Sequence, residues 1–130
     1  MWTAIETEEF SNWFDSLDDE AKEDVVVKVE VLKTLGPTLG RPLADTLKGS
    51  KHPNMKELRV VSNGRPFRVF FAFDPKRQAV LLVGGNKEGD KQFYERMLPL
   101  ADKLFDEYLA GIQSESKKAG KEKKNGKRKR

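Results

Sequence analysis

The stretch MKELRVVSNGRPFRVFFAFDPKRQAVLLVGG, residues 55–85, decides the fold of this chain. Apolar and charged residues alternate through much of it, which is the period of a β-strand with two different faces. Asn63-Gly64 is a strong hairpin-turn signal, and residues 75–78 begin with a proline that marks a second turn. The stretch therefore predicts three antiparallel strands, which are residues 55–61, 66–74 and 79–85.

The alternation divides the side chains of these strands between two faces. In the middle strand Phe67, Val69 and Phe71 point to one face, which is the predicted core face. Arg68 of the middle strand and Arg59 of the first strand point to the opposite face. Two arginines on one face of adjacent strands can reach one anion, because each guanidinium donates a fork of hydrogen bonds.

The residues before these strands predict a short strand and two helices. Residues 2–6 fit an opening strand, and Thr7 is a typical N-cap for a first helix with one apolar face. Asp18 or Asp19 is predicted to cap a second helix that ends near Leu35. The second helix contains a run of β-branched residues, but its apolar positions keep helical spacing.

A long loop and a last helix complete the pattern. The loop, residues 36–54, is rich in glycine and proline, and one helical turn is predicted near residues 44–47. The last helix is predicted from about residue 90 to residue 112, with a kink or break near Met97 because Pro99 lies inside it. The order β-α-α-β-β-β-α predicts an α+β fold: a small antiparallel-type sheet covered by helices on one face, with the other face open and basic.

Composition restricts the class of protein. The chain has 130 residues, no cysteine and a single histidine, so neither a disulfide scaffold nor a multi-histidine zinc site is expected. We predict one domain, residues 1–112, followed by a disordered basic tail, residues 113–130, that has almost no apolar residues. No metal and no cofactor are expected. The absence of a long apolar segment predicts a soluble, cytoplasmic protein with no membrane partner.

Charge is distributed unevenly along the chain. The formal net charge is +4, yet residues 1–32 carry a net charge of −8 and residues 33–96 one of +7. Residues 113–130 add a further +7. Such asymmetry predicts that one surface meets a polyanion and that another does not.

The predicted basic face suits cleavage of a phosphodiester without a metal. An attacking 2′-hydroxyl needs a base, the phosphate needs cationic donors, and the leaving 5′-oxygen needs a proton. Arg59 and Arg68 lie on this face by strand alternation, and Arg65 lies at the turn between their strands. Residues of the following segment, which include Lys87, Lys91 and Tyr94, are expected to approach from the far rim.

Two segments resemble a known family. Lys56-Glu57-Leu58-Arg59, followed after a turn by Arg68-Val-Phe-Phe, resembles the core motif of the RelE/ParE toxin superfamily. Residues 81–90, LLVGGNKEGD, together with Phe93-Tyr94-Glu95-Arg96-Met97, resemble the end of HigB-like toxins. The resemblance covers about residues 2–110. It implies the β-α-α-β-β-β-α fold and a type II toxin that a small antitoxin, typically of the helix-turn-helix type, neutralises.

The resemblance also implies an activity and a set of site residues. The activity is that of an endoribonuclease, or mRNA interferase, that binds the ribosome and cleaves translated mRNA. The implied catalytic residues are Arg59, Arg68, Lys87 and Tyr94, and the implied substrate-binding residues are Lys56, Arg65, Lys91 and His52. Glu57 belongs to the same motif and is expected to orient Arg59. Two alternatives stay open, namely a ParE-like toxin that inhibits gyrase and a non-catalytic regulatory homologue.

Overall fold

The computed structural model describes the backbone of residues 1–129 and the side chains of residues 1–112. The predicted disordered tail, residues 113–130, lies outside those described side chains and stays a prediction. The helices and strands follow in chain order: β1 (Thr3–Glu6), α1 (Glu8–Asp15), α2 (Asp19–Leu35), a 3-10 turn (Gly36–Thr38), β2 (Ala44–Thr46), β3 (Lys56–Ser62), β4 (Arg65–Phe73), β5 (Gln78–Asn86) and α3 (Phe93–Lys129). The predicted α+β class is confirmed.

One five-stranded sheet organises the molecule, with the strand order β1-β5-β4-β3-β2. β1 pairs with β5 in parallel, and the other neighbours are antiparallel. Asn63 and Gly64, at the β3–β4 turn, have φ angles of 51° and 75°, as a type I′ hairpin turn requires at both central positions. The three strands predicted from residues 55–85 are therefore confirmed.

Two apolar cores lie on opposite faces of the sheet. On one face, α1 and α2 pack through residues such as Phe10 and Val25 against Val69 and its strand neighbours. On the other face, α3 packs through residues such as Phe93 against Phe70 and its neighbours. The prediction that helices cover one face only is wrong, because Phe70 and alternate residues of β5 make the second face apolar as well.

The caps of the first two helices explain where they begin. Thr7 accepts a hydrogen bond from the backbone N–H of Phe10 at 3.1 Å, and Asp18 accepts one from Ala21 at 2.8 Å. α2 ends at Gly36, whose φ of 56° favours glycine and whose Cα lies against the Trp2 indole. The predicted helices are confirmed, since burial of one face outweighs the low helix propensity of the β-branched residues.

Two local predictions are wrong. Residues 44–46 form β2 rather than a helical turn, because Ala44 is buried opposite Leu58 and its backbone pairs with β3. The predicted break of α3 near Met97 is absent, because the helix continues through Pro99, and the alternative of a kink there stays a prediction. Apolar residues on both sides of Pro99 pack against the sheet, which compensates for the missing backbone hydrogen bond. Among the described residues, none of the helices is long and apolar enough to span a membrane.

Candidate active site

The two arginines of the predicted anion site face each other across neighbouring strands. Arg59 of β3 and Arg68 of β4 are directly paired in the sheet register, on the face that α3 covers in part. Glu57, two residues before Arg59, lies on the same face and is almost fully buried. Its carboxylate accepts a 3.2 Å hydrogen bond from Arg59 Nε, and its Oε1 lies 3.5 Å from Arg68 Nε. One buried carboxylate therefore holds both guanidinium groups.

The first turn of α3 adds Tyr94 to this pair. Its hydroxyl donates a 2.5 Å hydrogen bond to Glu57 Oε1. Burial, followed by the hydrogen bond and the negative charge of Glu57, raises the pKa of Tyr94 above its ordinary value of 10. Lys87, just after β5, places its Nζ 5.6 Å from the centre of the Tyr94 ring. The four residues predicted as catalytic thus converge around Glu57.

Sequence reasoning missed the part played by Asp45. This residue of β2 lies with its Oδ2 3.4 Å from Arg59 and 3.0 Å from Arg41 Nε. It therefore holds Arg59 from the side opposite β4. Asp45 was missed because its segment was expected to be helical, which would not have placed it beside β3. We call the set Glu57, Arg59, Arg68, Lys87 and Tyr94, with Asp45 at its edge, the Glu57 cluster.

Two predicted substrate-binding residues lie away from the Glu57 cluster, on the other face of the sheet. Lys56 precedes Glu57 in β3, so strand alternation turns it to the α2 side, where its Nζ donates to Thr46 Oγ1 at 2.9 Å. Arg65 is three residues before Arg68 and forms a 2.8 Å ion pair with Asp18, the N-cap of α2. The structure does not bring either residue to the paired arginines.

The other two predicted substrate-binding residues lie at different points along α3. His52 Nε2 lies 2.7 Å from Asp106 Oδ1, and its ring contacts Phe105 edge to face. Asp106 is twelve residues beyond Tyr94 in the helix, about 18 Å along its axis, so His52 is remote from the Glu57 cluster. Lys91 is exposed in the turn before α3, three residues from Tyr94, and so lies at the rim of the cluster.

The charges and free donors of the Glu57 cluster favour an anionic ligand. Its three cationic side chains outnumber its two carboxylates. Arg68 Nε is buried and makes no hydrogen bond within the part of the chain that the structure describes. Arg59, with 33% of its side chain exposed, is the more accessible of the two arginines and can donate to an anionic acceptor such as a phosphate oxygen. No group of three or more potential metal ligands occurs among the described residues.

Comparison with known proteins agrees with the fold. Residues 12–106 match the family model described as "Phage derived protein Gp49-like (DUF891)". Two Mycobacterium tuberculosis proteins are similar: "Putative toxin HigB2" is 48% identical over 95% of this chain, and "Putative toxin HigB3" is 44% identical over 75% of it. The chain spans 62% of the length of HigB2 and 85% of that of HigB3.

A solved structure with the same fold is that of the toxin–antitoxin complex RelBE2 from Mycobacterium tuberculosis. The match has a TM-score of 0.51 and 15% sequence identity. It covers 65% of this chain and 96% of the matched chain. At that level of identity the likeness concerns the fold alone.

Proposed function

Because this chain belongs to the Gp49-like family and is similar to HigB proteins, we propose that it is the toxin of a toxin–antitoxin pair and a ribosome-dependent endoribonuclease. The observation that carries the proposal is the pairing of Arg59 and Arg68 on one buried carboxylate, Glu57, next to the Tyr94 hydroxyl. The substrate is translated mRNA, bound at the ribosome by the basic part of the chain.

The proposed reaction is attack of a ribose 2′-hydroxyl on the adjacent phosphate. The new 2′-O–P bond forms as the P–O5′ bond breaks, which leaves a 2′,3′-cyclic phosphate and a 5′-hydroxyl. Water accepts the proton that the 2′-hydroxyl loses, and water also returns a proton to the proton donor after the reaction. Arg59 and Arg68 hold the phosphate and offset its increasing negative charge, and Lys87 adds a third positive charge nearby. Tyr94, whose pKa is raised, is a neutral phenol at physiological pH and so serves as a proton donor to the leaving oxygen rather than as a base.

The proposed partners are the ribosome, mRNA and a cognate antitoxin of the helix-turn-helix type, all in the cytoplasm. The solved RelBE2 structure is that of a toxin–antitoxin complex, and the HigB2 protein is similar over most of this chain. Both support an antitoxin as partner. The uneven charge of the chain supports a polyanionic partner for the basic surface.

Two arginines of the same strand provide a test of the proposed function. We expect induced expression of the wild-type chain to cut translated mRNA in frame, with the cuts mapped as new 5′ ends across all messages. Arg68→Ala should reduce cutting at least about 100-fold, because it removes a phosphate-binding cation from the Glu57 cluster. Arg65→Ala is the matched control: it removes an arginine from β4 on the other face and should leave cutting within about twofold.

The alternatives predict different results in the same cells. Growth arrest with intact messages and damaged DNA would replace the nuclease with a gyrase inhibitor. Intact messages and normal growth would leave a non-catalytic homologue. Equal loss of cutting in both arginine variants would contradict the proposed anion site at Arg59 and Arg68.

A further inference from the structure

A cleft of about 430 Å³ adjoins the Glu57 cluster along the first turns of α3. Its walls are Tyr94, Glu95, Leu98 and Pro99 on the helix and the loop that contains Gly49 and Lys51. Tyr94 belongs to both places, because its ring lines the cleft and its hydroxyl binds Glu57. We call this space the Tyr94 cleft. The cleft and the paired arginines are therefore neighbours that share the Tyr94 side chain.

The loop wall of the Tyr94 cleft is held in place by a buried carboxylate. Asp102 of α3, at 5% exposure, accepts hydrogen bonds from the Ser50 hydroxyl and from the backbone N–H of Lys51, the second at 3.0 Å. Ser50 in turn accepts a 2.9 Å bond from the backbone N–H of His52. His52 binds Asp106 one helical turn further along. Residues 50–52 are thus fixed on α3, and the cleft is formed before any ligand arrives.

The chemistry of the Tyr94 cleft suits a base rather than a phosphate. Tyr94, Leu98 and Pro99 give it apolar walls. Glu95 is an exposed carboxylate in the wall of the cleft, so it repels a phosphate but accepts hydrogen bonds from an amino group. Lys51 lies at the rim of the cleft. Its side chain is 74% exposed and contacts Asp106 at 3.7 Å, so it is available to a phosphate that flanks the bound base.

We propose that the Tyr94 cleft binds the base of the nucleotide next to the cleaved phosphate, and that Glu95 selects bases that carry an exocyclic amino group. Adenine, guanine and cytosine carry such a group, whereas uracil does not, so uracil is the base that the cleft rejects. This inference rests on the proposed nuclease function, and it adds a base-selective subsite to it.

Mapped cut sites test the subsite with an isosteric pair of variants. In wild-type cells we expect one position next to the cut to be depleted of uracil about fivefold to tenfold relative to the translated messages. Glu95→Gln should reduce that depletion to less than about twofold, because an amide can also donate to the uracil carbonyl oxygens. Glu107→Gln makes the same change on the same helix, outside the cleft, and should keep the wild-type depletion.

Lysine variants test the rim in the same experiment. Lys51→Ala should lower the number of cuts about fivefold without changing the depletion of uracil, because it removes a phosphate contact and no base contact. Lys103→Ala is its control, since this α3 lysine is equally exposed and lies outside the cleft.

Each outcome decides between the two proposals. Cutting with no uracil depletion in the wild type, or with the same depletion in Glu95→Gln, overturns the subsite and leaves the nuclease intact. No cutting by the wild type overturns the nuclease and the subsite together. The control for folding is thermal unfolding, in which every variant should have the same midpoint temperature as the wild type.

Discussion

Glu57 is the residue on which the geometry of the candidate site depends. Its carboxylate contacts Arg59, Arg68 and the Tyr94 hydroxyl, which come from two strands and a helix. A buried carboxylate is costly unless its oxygens are paired, and here each oxygen has a charged or hydrogen-bonding partner. The same contacts keep the two guanidinium groups from moving apart, so the site is organised before a phosphate binds.

Tyr94→Phe is predicted to change the dependence of stability on alkaline pH. The pKa of Tyr94 is raised in the folded protein, so the folded state retains the phenol proton more strongly than the unfolded state does. The resulting stability is fully present below pH 10 and is lost as pH rises from 10 through the folded pKa. At pH 8 the free energy of unfolding of the wild type should exceed that of Tyr94→Phe by about 1.5–3 kcal/mol, the usual contribution of a hydrogen bond to a charged group.

Urea unfolding at pH 8 and at several pH values above 10 measures this difference. Lysine residues titrate in the same range but are common to both proteins, so the difference between the two curves isolates Tyr94. We expect it to shrink as pH rises above 10. A difference that stays constant across the range would mean that the Tyr94 hydroxyl does not donate to Glu57 in solution.

The arginine pair could be predicted from sequence because its evidence is local. Strand alternation and a two-residue turn determine which face Arg59 and Arg68 occupy and that they lie opposite each other. The same alternation turns Lys56 and Arg65 to the other face, which the family resemblance did not take into account. Asp45 could not be found in this way, since its contact with Arg59 depends on a three-residue edge strand without a periodic pattern.

At the scale of elements, the sheet has two apolar faces because β4 and β5 carry apolar residues at nearly every position. Fully buried strands read as continuous apolar runs, and a run does not say which face a helix covers. Phe70 and Leu82 therefore gave no sign that α3 would pack on the face opposite α1 and α2. This second layer is what brings Tyr94 to the arginines.

Gly84→Ala is predicted to disturb the packing of α1 on β5. A Cβ at Gly84 would lie 2.3 Å from Trp13, closer than packed atoms approach, so the indole and its helix would have to move. We expect a loss of about 1–3 kcal/mol in the free energy of unfolding, as for other overpacked cores. Gly40→Ala is the control, because nothing lies within 4 Å of a Cβ there. Equal stabilities of the two variants, measured in urea, would contradict the tight contact.

At the scale of the whole molecule, the acidic N-terminal segment of the chain and the paired arginines lie on opposite faces of the sheet. The acidic segment, residues 1–32, contains α1 and most of α2, and these helices cover one face of the sheet. The Glu57 cluster lies on the other face, beside α3. For the proposed RNA substrate, this arrangement predicts attraction to the side of the paired arginines and repulsion from the α1–α2 side.

The tail should add affinity for RNA without adding specificity. Residues 113–130 contain nine lysines and arginines, and each cation that contacts a phosphate contributes about −0.7 to the slope of log K against log salt on single strands. Replacing all nine by glutamine in the full chain should make that slope less steep by about 3 or more.

The probe for this measurement is a 20-nucleotide 2′-O-methyl RNA, which the proposed reaction cannot cleave because its 2′-oxygen is blocked. Positions of cuts in cells should stay the same, since base contacts and the arginine pair are untouched. An unchanged slope would mean that the tail does not meet the phosphates, and altered cut positions would assign it a part in selecting the site.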